Sequence, residues 1–170
     1  MPKPADTDYQ EYFARYINLV KEDDIKLAFK NQFSLMENFL HSIDEEKSRF
    51  SYAPGKWTIK ELLQHVIDGE RIFNYRALCI ARKETASLPG FEEDDYAKNS
   101  NANERNWEDL KNECLNLRRS THDLYNSFSD ETLSLTGIAN NNTISVSSLG
   151  FITVGHTYHH MKVLTERYLG

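Results

Sequence analysis

The sequence predicts an all-α fold, a four-helix bundle, on three observations. Four long segments repeat their apolar residues with a helical period, one polar connection of about twenty residues separates the second from the third, and no segment sustains strand alternation. A chain of 170 residues with 39% apolar content is the size of one domain, expected over residues 1–170. It can bury roughly two-thirds of its unfolded surface.

The elements follow in order. A short helical extension is expected at about residues 7–22, around Tyr9–Val20. From Asp24 to Ile43, the spacing of Ile25, Ala28, Phe33, Met36, Phe39 and Leu40 fits the first long helix, which charge, proline and glycine in DEEKSRFSYAPGKW bring to an end. Thr58 precedes Glu61 by three residues at the head of an apolar run, a capping-box signature, so a second helix should reach about Lys83. Glu84–Asn103 is polar, acidic and broken by Pro89 and Gly90, with no helical period. Trp107, Leu110, Cys114, Leu117, Thr121 and Leu124 form one stripe of a third helix over Glu104–Phe128. Ser129 reads as the cap of a short turn closed by Gly137, and Leu135–Ile138 can pair briefly with Thr143–Val146 across the asparagines. A last helix runs from Ser145 or Val146 to about Tyr168.

Composition excludes several classes of function. A net charge of −6 argues against the basic stripe that a nucleic-acid surface needs. No run approaches the roughly 18 apolar residues of a membrane span, and MPKPADTDYQ lacks the apolar stretch of a leader, so a cytoplasmic protein is expected. Cys79 and Cys114 stand without CxxC spacing and read as buried, reduced thiols.

Histidine carries the chemistry. GHTYHH at 155–160 puts three of six histidines in five residues, and His156 and His160, four apart, share one helix face with Leu149, Ile152 and Val163. Two neutral imidazoles on an apolar face leave four ring nitrogens to satisfy, so something polar must meet them. His65 lies at the edge of the apolar stripe of the second helix, about 100° from Val66, where it can look into a seam between helices. One histidine on one helix and a pair on another can converge on a single ion, as in metal sites of bundle cores. His159, about 60° from His156, is an alternative ligand but better read as a supporting or surface residue. His41 and His122 read as solvated.

Two stretches, GKWTIKELLQHVIDGERIFNYRA and SVSSLGFITVGHTYHHMKVLTERY, resemble the DinB-like metalloproteins across nearly the whole chain. The resemblance implies up-down-down-up connectivity, a divalent metal held by His65, His156 and His160, and a homodimer. It also implies a metal-dependent hydrolase or a transferase acting on low-molecular-weight thiols, with the substrate left open.

Three imidazoles would leave the ion its full charge and an open position, and all-nitrogen ligation suits zinc or nickel. Thr157 stands where HExxH proteases carry their glutamate, which excludes that mechanism. Asp68, three residues after His65, is a candidate to orient that imidazole or relay a proton, or else pairs with Arg71 or Arg76. Trp57 and Tyr75 read as packing residues, and Gly155 as a point of close approach. Phe151, Val154, Tyr158 and Met161 make the last helix apolar on its other side too, which calls for a neighbour or a second subunit. The leading reading is thus a metal-dependent enzyme with a small-molecule substrate. The competing one is a non-enzymatic metal- or small-molecule-binding stress-response protein.

Overall fold

The structure, a computed structural model, describes residues 3–170; Met1 and Pro2, the first two residues of the expected domain and leader-free start, lie outside the described residues. Its elements are α1 (Ala14–Ile17), α2 (Ile25–His41), α3 (Glu45–Ser48), α4 (Ile59–Ala81), α5 (Glu93–Asn99), α6 (Trp107–Asn126), α7 (Asp130–Leu133), the strands β1 (Thr136–Ala139) and β2 (Asn142–Ser145), and α8 (Val146–Arg167). The four long helices are α2, α4, α6 and α8.

Helix starts follow side-chain chemistry. Asp24, Asn106 and Ser145 each accept a backbone N–H of the first turn, and Thr58 with Glu61 completes the reciprocal box. Asn106 explains why α6 begins at Trp107 rather than Glu104. The N-terminal extension is two 3₁₀ turns, Asp6–Asp8 and Glu11–Phe13, leading into the single turn α1. The connection expected to be without helix contains α5, whose seven residues bury only Ala97, so no apolar period can emerge from it.

Cross-helix contacts give the direction of each helix. Between α2 and α6, Phe29 meets Tyr125, Met36 meets Cys114 and Ile43 meets Trp107, so these two run antiparallel. Between α4 and α6, Glu70 meets Arg118 and Asn74 meets Thr121, both rising together, so they run parallel. Trp57 bonds Tyr168 while Gly69 approaches His156, which makes α8 antiparallel to α4. Ile25 lies against Gly150 and Gln32 bonds Val154, so α8 is parallel to α2. The connectivity is up-down-down-up. Parallel neighbours cannot be joined by a tight turn, and residues 82–106 therefore travel the length of the bundle.

That crossover is pinned to the hairpin. Leu88 donates its N–H to Ile138 and accepts that of Asn140, both at 2.9 Å. Gly137 sits within β1, not as the cap of the preceding turn, because a Cβ there would lie 2.6 Å from Ile80 Cγ1. The hairpin pairs Thr136 with Ser145 through Ala139 with Asn142, one residue offset from the expected spans.

The core has two apolar halves. One gathers Phe29, Ile80, Tyr125 and Leu149, the other Met36, Ile67, Leu110 and Leu164. Between them lies a buried polar layer with one member or more from every long helix: Arg118 forks onto Glu70 at 2.7–3.2 Å, donates to Gln32, and donates to Thr157 at 2.8 Å. Thr121 donates to the same carboxylate at 2.6 Å. Phe151 and Val154, whose periodicity calls for a cover, are fully buried within this chain, and Tyr158 is half-buried against the same core. Of the two aromatics read as packing residues, Trp57 packs, whereas Tyr75 stands 58% exposed because it faces outward on α4. Both cysteines are free, Cys114 buried and Cys79 half-buried. No helix is long and apolar enough to cross a membrane among the described residues.

Candidate metal centre

His65 lies two turns into α4 and His156 and His160 one turn apart on α8, and the antiparallel packing of these helices brings the three rings together. The Nε2 of His156 is 3.0 Å from the Nε2 of His65 and 3.0 Å from that of His160. One donor atom from each residue falls within 4.8 Å of the others. His65 and His156 are buried, and His160 is half-buried.

Two glycines stand at the close approach. Gly69, one turn after His65, faces the His156 ring, and a Cβ there would meet His156 Cε1 at 3.4 Å, an ordinary contact. Gly155 carries the packing expected of it: a Cβ at this position would overlap the backbone carbonyl of Tyr16. Tyr16 in turn packs edge-on against His156 and His159, with ring centres at 5.3 and 5.4 Å, and Trp57 lies 4.9 Å from His65.

The donor set fits a divalent ion. Each neutral imidazole has one N–H, and three Nε2 atoms facing one point cannot satisfy one another. Two imidazoles at zinc-ligand distance on a tetrahedral ion stand about 3.4 Å apart, close to the spacing seen. Burial, first, and the neighbouring imidazoles push His156 and His160 well below the usual histidine range. Burial likewise lowers His65 to about 4, against an opposing pull from Asp94. Uncharged rings are the ligating form. The Nδ1 of His160 is buried without a hydrogen-bond partner.

His65 and His156 open on a cavity of about 480 Å³, with His65, Gly69, Phe73 and Arg76 of α4 along one wall. The N-terminal turns contribute Tyr12 and Tyr16, the crossover Phe91 to Asp94, and the hairpin Ala139 to Ile144. Were the three histidines to hold an ion, the open space beside them would leave room for a further ligand, unlike a closed structural site.

A family model described as the DinB superfamily matches residues 28–164. The chain belongs to the DinB superfamily. Among solved structures, this DinB chain is similar to YfiT from Bacillus subtilis, described as a probable metal-dependent hydrolase with an unusual four-helix bundle topology. The TM-score is 0.70 at 16% identity, over 96% of this chain and 90% of that one. No curated protein matches it.

Of the residues singled out from the DinB sequence, His65, His156 and His160 come together. His159 stays outside the group, beside Tyr16 at its edge. Asp68 accepts from Gln64 at 2.9 Å and lies 3.8 Å from Arg71, with its open side on a different groove, and no bond to a triad imidazole is present among the described residues. Thr157 belongs to the buried polar layer through Arg118. His41 is exposed and His122 half-buried. Arg76, Asp94 and Tyr16 also line the cavity and were not singled out. For Arg76 the helical spacing from His65, eleven residues or three turns, was a usable signal. Asp94 and Tyr16 arrive from segments without periodicity and gave none.

Proposed function

We propose that this chain is a metal-dependent enzyme that holds zinc or nickel through His65, His156 and His160 and hydrolyses a small molecule bound in the adjoining cavity. The observation that carries this reading is the convergence of three uncharged imidazoles, with the Nε2 atoms of His65 and His160 each 3.0 Å from that of His156, beside an open cavity that His65 and His156 line. The likeness to YfiT, described as a probable metal-dependent hydrolase, supports it.

When bound, the ion would supply Lewis acidity and an activated nucleophile at neutral pH. The chain supplies the rest. Tyr16 and Phe73 pack edge-on against the His156 ring, and Phe73 and Phe91 give the cavity apolar wall that limits water. Asp94, exposed at the cavity and close enough to His65 to oppose its loss of charge, is the carboxylate placed to accept a proton. Transfer to a low-molecular-weight thiol is the other reaction that three neutral ligands and an open position suit.

Metal analysis of the purified protein beside His65→Ala, His156→Ala and His160→Ala tests the site. We expect about one zinc or nickel per wild-type chain and loss of at least tenfold in affinity in each variant. Equal metal content in all four would overturn the triad. A panel of esters, amides and thiol conjugates, assayed with and without chelator, then separates the reactions. Metal binding that stabilises the fold without any turnover would favour the non-enzymatic binding protein.

A further inference from the structure

The wall of the cavity carries a cation that stands apart from the triad and from the buried polar layer. Arg76 is 6% exposed, and its Nη2 donates to the carbonyl of Pro89 at 2.6 Å. Its guanidinium lies 6.0 Å from the centre of the Phe91 ring. It pairs with no carboxylate among the described residues, which separates it from the other deeply buried arginine, Arg118, forked onto Glu70. An unpaired buried guanidinium is costly unless a partner arrives, and five N–H donors in a planar fork match a carboxylate.

Position gives the partner its place. His65, Gly69, Phe73 and Arg76 share one face of α4 and all line the cavity. At the helical rise, the backbone of Arg76 is about 16 Å from that of His65, so the cation and the triad address opposite ends of one ligand. Between them the wall is Gly69 and the ring of Phe73, which suits an apolar or neutral middle. Glu92, Glu93 and Asp94 line the same cavity from its exposed side, which disfavours phosphates and other polyanions and leaves a single carboxylate.

We propose that Arg76 is the anchor for a carboxylate of the substrate, whose reacting group lies at the triad. The substrate class is then an extended monocarboxylate. This rests on the metal reading above, and the test keeps the two apart.

The probes are ω-mercaptoalkanoates of six to eleven carbons and the matching mercaptoalcohols, titrated calorimetrically into zinc-loaded protein; the thiol seeks the metal and the carboxylate seeks Arg76. At the best chain length the acid should bind about tenfold or more tightly than the alcohol. Arg76→Gln, which keeps a donor for the Pro89 carbonyl, should abolish that preference and leave alcohol binding within twofold. Arg76→Lys, with the charge but not the fork, should fall between. A preference that survives Arg76→Gln, or equal binding of acid and alcohol to the wild type, would overturn the anchor while leaving the metal site standing. Failure of both probes together with failure to retain zinc would overturn the metal reading, and this subsite with it.

Discussion

Gly155 stands immediately before the first histidine of α8, where the carbonyl of Tyr16 occupies the space of a side chain. Gly155→Ala must push α1 from α8, and by the usual penalty of overpacking it should cost about 2 kcal/mol in urea denaturation. Because Tyr16 also packs edge-on against His156, the same variant should hold zinc less tightly at equal folding. The grouping of the three histidines was legible in the sequence because two sit at one helical turn and the third lies on the edge of an apolar stripe. Arg76 was harder to see. A single arginine on a helix reads as a solvated charge, and only tertiary burial shows that it has no acid beside it.

Among the elements, capping made the long helices readable to within a few residues. The Thr58–Glu61 box and the Asp24 and Ser145 caps stand where the side-chain chemistry puts them. One short element was lost for a physical reason: α5 buries one residue, too little for a period to declare itself. The polar layer across the four long helices was also hidden, since Gln32, Glu70 and Arg118 look like surface residues in an amphipathic pattern. Its energetics are asymmetric. Arg118→Met should cost about 3–5 kcal/mol, because Glu70 is left charged, 2% exposed and without its cation. Glu70→Leu combined with Arg118→Met should recover most of that loss, read from urea midpoints. A double variant no more stable than Arg118→Met would show that Gln32, Thr121 and Thr157 depend on the pair.

At the scale of the whole molecule, an ion at the triad would clamp α4 to α8, the second and the last of the four long helices. With zinc at a hundredfold over its dissociation constant, folding should gain about 2.7 kcal/mol, a rise of roughly 5–10 °C in Tm for a chain of this size. His156→Ala should show no such rise in a thermal melt. Helix number and the long connection were legible before the structure, and the connection's length is the physical trace of parallel α4 and α6. Which wall of the site that connection forms was not, because its position depends on the Leu88 bonds to the hairpin.

The crossover therefore divides the labour of the chain. The three histidines belong to α4 and α8, in the packed bundle, whereas Pro89 and Phe91 to Asp94 belong to a stretch that spans the outside and carries little of the core. Exchanging residues 82–106 between related chains should re-tune what is accepted while metal retention stays as it was. Selection can work on recognition there as on a removable faceplate, with the engine behind it left alone.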